Sequence, residues 1–260
     1  MKLLFIGDIV GRPGRMALAS RLGRLVDRHS VDLVIANGEN AAAGFGLTLE
    51  VARELFDQGV DVMTSGNHIW DKREIFEQLE SDPRLLRPAN YPPGLPGRGS
   101  GIYRTAAGVA VGVVNLEGRV FMNNLDCPFR AADALVEELR RETPIILVDF
   151  HAEATSEKVA LGHYLDGRVS AVVGTHTHIQ TADEHILPGG TAYLTDAGMT
   201  GSRDSVIGIR KELSIERFLT QLPVRFDVAK KEPILCGLLV EVDEETGRAV
   251  AVERVRELVD

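Results

Sequence analysis

The chain has 260 residues, of which 44% are hydrophobic and 26% are charged, the composition of an ordinary globular protein with a sizeable core. Its net charge of −9 argues against binding to long nucleic acid or to an anionic membrane, because both attract surfaces rich in Lys and Arg. The apolar run Leu3 to Ile6 is too short for a signal peptide, and Cys127 and Cys236 lack disulfide or zinc spacing, so we expect a reducing cytoplasm.

Strands and helices alternate through the first 64 residues. Strands are predicted at residues 2–6, 32–36 and 60–64. Pro13 suits the start of a first helix that runs to about His29, and Thr48 suits the cap of a second helix that runs to about Gln58. This order predicts βαβ units and a parallel sheet with right-handed crossovers.

The rest of the chain predicts further strands and helices without a linker. Helices are predicted at 71–79 and 128–141, a hairpin at 102–106 and 109–115, and strands at 145–148, 171–173 and 193–194. Two antiparallel strands are predicted between residues 233 and 255, and the long Pro/Gly-rich segment 87–101 reads as a functional or covering loop. We therefore expect mixed sheets in a single domain spanning residues 1–260.

Two histidines follow the strand at 171–173, in the sequence SAVVGTHTHI. Gly174 is expected to break that strand, and His176 and His178 are separated by one residue. On an extended backbone alternate side chains share a face, so both imidazoles should project the same way. Such a pair suits a metal better than a packed core, although a structural role stays open for the pair taken alone.

Other predicted strands also end in side chains that can bind metal. They are Asp8, Glu39 with Asn40, Asn67 with His68, and His151. Singly, each has a simpler interpretation: Asp8 could cap a helix, Asn67 could form a turn, and a lone histidine is often just packed. In open α/β sheets ligands bind beyond the carboxyl ends of the strands, so the conjunction at one edge predicts a site.

The candidate ligands are imidazole, carboxylate and amide groups, with no thiolate. This set argues against iron–sulfur clusters and most structural zinc sites, and it is compatible with Mn, Fe, Zn or Co. A carboxylate such as Glu39 could bridge two ions about 3.5–4 Å apart, the geometry of two-metal phosphate chemistry.

In this order the motifs resemble those of the calcineurin-like metallophosphoesterases. Gly7 to Val10 (GDIV) and Asn37 to Asn40 (NGEN) match the first two blocks, followed by Gly66 to His68 (GNH), His151 and Gly174 to His178 (GTHTH). Val10 replaces the family's first histidine, and Glu39 replaces its bridging aspartate. Together with DFHAEATSEK (149–158) and DAGMTG (196–201), these departures resemble the bacterial YmdB-type phosphodiesterases.

The resemblance implies an α/β fold, a four-layer α/β/β/α sandwich with two mixed sheets. It implies a metal-dependent phosphoric diester hydrolase that acts on cyclic nucleotides, 2′,3′-cyclic AMP among them, and holds two divalent or mixed-valence metal ions, Fe or Mn, with Zn as an alternative. One ion would be held by Asp8, Glu39, Asn40 and His178, and the other by Glu39, Asn67, His151 and His176, with His68 as the general acid. A phosphomonoesterase or protein phosphatase, or a slow-turnover regulatory protein that binds a nucleotide, stays open.

Several residues have no assigned place in this scheme. Asp71 could orient His68 or cap the following helix, and the loop from Gly118 to Arg130 could contact substrate through Arg119, Phe121, Asn123 or Arg130. The remaining histidines (His29, His163 and His185) are interpreted as surface or packing residues. We expect a small nucleotide as substrate and no membrane partner, and the sequence leaves open whether the chain forms a homo-oligomer.

Overall fold

The computed structural model describes residues 1–259, which form six α-helices, twelve strands and one short 3-10 helix. The helices are α1 (Gly11–His29), α2 (Leu49–Asp57), α3 (Ile75–Ser81), α4 (Pro128–Leu139), α5 (Thr155–Leu165) and α6 (Lys211–Thr220), and the 3-10 helix is Asn67–Asp71. The strands are β1 (Lys2–Ile6), β2 (Leu33–Asn37), β3 (Val62–Thr64), β4 (Ser100–Arg104), β5 (Ala110–Glu117), β6 (Ile146–His151), β7 (Ala171–Thr175), β8 (His185–Ile186), β9 (Ala192–Leu194), β10 (Gly201–Ser202), β11 (Pro233–Val242) and β12 (Ala249–Leu258).

The strands form two six-stranded sheets, both mixed. The first has the order β10-β11-β1-β2-β3, with β12 paired to β11, and its β1, β2 and β3 are parallel. The second has the order β4-β5-β6-β7-β9-β8, and its β5, β6, β7 and β9 are parallel. The antiparallel strands β4, β8 and β10 lie at the edges of their sheets. β11 is antiparallel to its neighbour β1 and also forms a hairpin with β12.

Alternation of side chains along the strands explains how the layers pack. In β1, Leu3 and Phe5 face the second sheet, whereas Leu4 and Ile6 pack with α1 to α3 on the other side. In the second sheet, Val113 faces the first sheet and Val114 packs against α4 and α5. The result is a four-layer α/β/β/α sandwich, which confirms the predicted fold class.

Several predicted boundaries were wrong for physical reasons. β7 continues through Gly174 to Thr175, and β6 extends to His151 because its buried Asp149 accepts hydrogen bonds from Thr175 of the same sheet and from Asn37 and Thr64 of the other. Gly174 is needed for packing instead: a Cβ there would lie 1.8 Å from the carbonyl oxygen of Thr195. In place of one helix at 71–79, the 3-10 helix ends at Asp71 and α3 begins at Ile75.

Other elements deviate less or were not predicted. α1 begins at Gly11, two residues before Pro13, whereas Thr48 caps α2 as expected by accepting a hydrogen bond from the Val51 amide. Helices α5 and α6 were absent from the sequence prediction. Within residues 1–259 there is no helix with the length and apolar character needed to cross a membrane.

Candidate metal centre

The predicted site residues converge where the parallel strands of both sheets end. Asp8 follows β1, Glu39 and Asn40 follow β2, Asn67 follows β3, and the three histidines lie at or beyond the ends of β6 and β7. We divide them by contact into a Glu39 group (Glu39, Asn67, His151 and His176) and an Asp8 group (Asp8, Asn40 and His178). Glu39 adjoins both groups, because its Oε1 atom lies 3.0 Å from His151 Nε2 and accepts a hydrogen bond of 3.1 Å from Asn40 Nδ2.

The Glu39 group is tightly packed around one ring nitrogen. His151 Nε2 lies 3.0 Å from Glu39 Oε1, from Asn67 Oδ1 and from His176 Nδ1. One proton cannot satisfy three acceptors, whereas a metal ion binds donors of these types together. The close approach depends on Gly66, where a Cβ would lie 2.2 Å from His151 Nε2.

The pKa values within this group show which imidazole carries the proton. Burial alone would lower the pKa of His151, but the charge of Glu39 and the hydrogen bond between them raise it to about 9. Burial opposes ionisation of Glu39, yet His151 lowers the pKa of this carboxyl group to about 2. Burial and the charge of His151 lower the pKa of His176 to about 3. Metal-free protein therefore pairs a charged His151 with an ionised Glu39 and a neutral His176.

The Asp8 group is more open. His178 Nε2 lies 3.4 Å from Asn40 Nδ2 and 3.8 Å from Asp8 Oδ1. Asp8 Oδ1 and Asn40 Oδ1 are buried and, among the described residues, have no hydrogen-bond partner. Buried polar atoms normally have partners, so these orphaned oxygens fit a site built for a cation.

Each histidine of the two groups has its second ring nitrogen engaged away from the centre. His151 Nδ1 lies 3.0 Å from Thr175 Oγ1, and the Thr175 hydroxyl donates to Asp149 Oδ1 at 2.7 Å. His176 Nε2 lies 3.1 Å from Glu153 Oε2, and His178 Nδ1 donates to the Ile207 carbonyl oxygen at 2.9 Å. Outer partners of this kind fix ring orientation in metal sites, and here they leave the inner nitrogens facing the centre.

The balance of charge also favours cations. Asp8, Glu39 and Asp149 are fully buried near one another, and unpaired buried carboxylates are costly. Burial raises the pKa of Asp149 to about 7, although the nearby His151 partly offsets this rise. Glu39, His151 and His176 lie close enough together to hold one metal ion, and a second ion at the Asp8 group stays a prediction.

The two histidines after β7 reach the centre by a different route from the one predicted. His176 and His178 have φ values of 94° and 66°, so the backbone is left-handed at both residues and not extended. The argument from alternation along a strand was wrong, because β7 ends at Thr175 and a turn follows it. Each such residue costs on the order of 1–3 kcal/mol, so the surroundings must hold the turn.

His68 lies beside the centre and has its own partner. Its backbone amide donates to Glu39 Oε2 at 2.9 Å, and its Nδ1 lies 2.9 Å from Asp71 Oδ2. Asp71 therefore contacts His68, and the alternative role of Asp71 as a helix cap is wrong, since the residue before α3 is Glu74. The imidazole is about one-third exposed, which leaves it accessible to a substrate.

The loop from Gly118 to Arg130 shows fewer links to the centre. Asn123 Nδ2 lies 3.5 Å from Oε1 of the buried Glu117, whereas the Phe121 side chain is 89% exposed. Arg119 and Arg130 are also exposed. Substrate contact by this loop stays a prediction.

Sequence reasoning missed several buried polar residues that lie near the centre: Thr175, Asp149, Glu117, Lys158 and Asp196. All five are buried. Asp149 and Glu117 had a readable signal, because each interrupts or ends a strand whose other residues are mostly apolar. Lys158 and Asp196 lie in the segments that carried the family resemblance, but nothing local in the sequence pairs them.

Comparison with known proteins supports the resemblance found in the motifs. Residues 4–255 match the family described as YmdB-like protein. The chain is 52% identical over 255 residues to a 2′,3′-cyclic-nucleotide 2′-phosphodiesterase of Bacillus subtilis (strain 168), covering 98% of this chain and 96% of that protein.

Two crystal structures share the fold across the whole chain. A hypothetical protein from Thermus thermophilus superposes with a TM-score of 0.93 at 47% identity, covering 99% of both chains. A protein from Mycoplasma pneumoniae described as a novel phosphatase also gives a TM-score of 0.93, at 35% identity, covering 99% of this chain and 93% of that one. The chain belongs to the YmdB-like protein family.

Proposed function

We propose that the protein is a dinuclear metal-dependent phosphodiesterase that opens 2′,3′-cyclic nucleotides at the 2′ ester bond. The geometric observation that carries the proposal is the convergence of seven candidate ligands, with Glu39 between the two groups. The relative from Bacillus subtilis supports the substrate and the bond, since it bears the name of a 2′,3′-cyclic-nucleotide 2′-phosphodiesterase. That relative also confirms the predicted enzyme class, a phosphoric diester hydrolase.

The Glu39 group and the Asp8 group would each hold one ion, with the Glu39 carboxylate shared between them. Fe or Mn suits this mixture of imidazole, carboxylate and amide donors, and Zn is compatible with it. When bound, two such ions supply Lewis-acid stabilisation of phosphoryl charge and activation of water. The histidines would hold the ions in defined positions, because each ring is oriented by an outer partner.

His68 would protonate the departing ribose oxygen. Hydrolysis of the 2′ ester adds water across the bond between phosphorus and O2′: hydroxide goes to phosphorus and a proton goes to O2′, which leaves a 3′-nucleotide. An alkoxide is a poor leaving group, so a positioned acid contributes about 10²–10⁴-fold. With Nδ1 of His68 held by Asp71, Nε2 is the ring nitrogen available to deliver that proton.

A product analysis tests this function. The purified chain, supplied with Mn²⁺, should hydrolyse 2′,3′-cyclic AMP faster than 3′,5′-cyclic AMP or 3′-AMP, and it should release 3′-AMP and no 2′-AMP. The matched Glu39→Gln variant, assayed under the same conditions, controls for contaminating phosphatases. A preference for the phosphomonoester would favour a phosphatase, and binding of cyclic AMP without turnover would favour the regulatory alternative.

A further inference from the structure

A lysine and an aspartate form an ion pair beneath the turn that carries His176 and His178. Lys158 Nζ, from α5, lies 2.7 Å from Asp196 Oδ2, which follows β9. Both side chains are almost completely buried, at 2% and 0% exposed. Buried ion pairs are weak evidence of stabilisation, because desolvation offsets most of their attraction. Net stabilisation alone therefore does not explain why this pair is buried here.

The pair contacts the turn at the single residue between the two histidines. Asp196 Oδ2 accepts hydrogen bonds from the Thr177 amide at 3.1 Å and from its hydroxyl at 2.6 Å. Lys158 Nζ donates to the same hydroxyl oxygen at 3.3 Å. Thr177 is thus held through both its backbone and its side chain, while the residues on either side have left-handed backbones.

The same aspartate links the turn to the backbone at Asp8. Asp196 Oδ1 accepts from the Gly198 amide at 2.8 Å. The chain then continues along the centre, where the Met199 amide donates to the His178 carbonyl oxygen and the Thr200 amide donates to that of Asp8. Asp196 therefore lies where the His176–His178 turn meets the backbone of the Asp8 group.

We propose that the Lys158–Asp196 pair is a positioning element, which holds Thr177 in place by hydrogen bonds and so orients His176 and His178 for binding metal. The proposal rests on the metal centre of the proposed function. Since His176 belongs to the Glu39 group and His178 to the Asp8 group, loosening Thr177 disturbs both groups at once. Neither Lys158 and Asp196 nor Thr177 has to contact metal or substrate for this effect.

Two substitutions at Thr177 test the contacts of its hydroxyl with Lys158 and Asp196, with little change in side-chain size. Thr177→Val removes the hydroxyl that contacts both Lys158 and Asp196, whereas Thr177→Ser keeps it. The readout is metal occupancy of the full-length chain in solutions of buffered free Mn²⁺, followed by elemental analysis and by the Mn²⁺ electron paramagnetic resonance spectrum. Thr177→Val should need about 10–100-fold more free Mn²⁺ for half occupancy at both groups, and Thr177→Ser should bind like the wild type.

A third variant separates positioning from general stability. Ser170 lies just before the start of β7, where its hydroxyl accepts a hydrogen bond from the Ile146 amide and donates one to the Gly247 carbonyl oxygen. Ser170→Ala should lower the melting temperature of the metal-free chain and leave Mn²⁺ occupancy unchanged. The proposal would be overturned if Thr177→Val kept the wild-type affinity for Mn²⁺. It would also be overturned if Ser170→Ala, destabilised to the same degree, lost as much Mn²⁺ affinity as Thr177→Val. Wild-type chain that binds no Mn²⁺ would instead refute the metal centre itself.

Discussion

The two ligand groups differ in how they are satisfied without an ion. In the Glu39 group a charged His151 is surrounded by acceptors at 3.0 Å, so its proton makes part of the contacts that a metal ion would make. In the Asp8 group the donors are 3.4–3.8 Å apart, and two buried oxygens have no partner among the described residues. The first group is therefore held together by internal pairing, whereas the second leaves two buried oxygens unpaired.

Removing the shared carboxylate should have the largest effect. Glu39→Gln leaves the size of the side chain unchanged but removes the charge that both groups use. We expect loss of both ions and a fall in turnover of at least about 10⁴-fold, because metal-ion stabilisation of the transition state amounts to several kcal/mol. Metal content and the rate on 2′,3′-cyclic AMP check this. Retention of one ion at full occupancy would show that only one group depends on Glu39.

His68→Ala should separate catalysis from metal binding. His68 belongs to neither ligand group, so the variant should keep both ions while turnover of 2′,3′-cyclic AMP falls about 10²–10⁴-fold. The deficit should shrink for a p-nitrophenyl phosphodiester, whose leaving group departs without a proton. Equal loss on both substrates, together with loss of metal, would make His68 a ligand and not an acid.

Thr175→Val should disturb only the Glu39 group. It breaks the chain from His151 Nδ1 through the Thr175 hydroxyl to Asp149. Removal of such an outer contact weakens metal binding by about 10–100-fold, and we expect that loss at one ion while the ion of the Asp8 group is retained. Titration of the metal-free chain with Mn²⁺ should therefore show one weakened and one unchanged binding event. Equal weakening of both events would contradict the division into groups.

The pH dependence of stability should have opposite signs in metal-free and metal-loaded protein. His151 has a pKa of about 9 in the folded metal-free chain, above its ordinary value of 6.5, so its contribution is fully present below about pH 6.5 and is lost as pH rises through about 9. A shift of this size corresponds to roughly 3 kcal/mol at most.

Metal-loaded protein should instead gain stability as pH rises through about 6.5 and change little above it, because the unfolded histidine loses its proton there and a metal-bound histidine carries none. Urea denaturation at pH 6 and pH 9, with and without Mn²⁺, measures both trends. Glu39→Gln is the control, since it lacks the charge that raises the pKa of His151. If the stability of the metal-free wild type changes with pH in the same way as that of Glu39→Gln, the Glu39–His151 pair contributes little to stability.

Much of the site could be predicted because parallel strands bring their carboxyl ends to one edge. Asp8, Glu39 and His151 each follow or end a strand of apolar residues, so chain order alone places them together. His176 and His178 lie beside the other candidate ligands as the sequence predicts, but the geometric reason given for their orientation was wrong. Their left-handed turn contacts Asp196, 19 residues beyond Thr177, and no local pattern in the sequence reveals such a contact.

The same limit explains the errors in the fold. Asp149 was expected to lie beyond its strand because a carboxylate is unusual inside a sheet. It stays in β6 because Asn37 and Thr64, from the opposite sheet, donate to it. Partners that come from another sheet are set by tertiary packing, whereas the period of apolar residues was sufficient for the hairpin β4–β5 and for α4.

The number of ions bound per chain tests the central claim most directly. Elemental analysis of the wild type should give two ions, and of His151→Ala and His178→Ala one or fewer, because each variant removes an imidazole from a different group. A wild type with one ion, retained at full occupancy in His178→Ala, would contradict the two-group account and leave the Asp8 group without a metal.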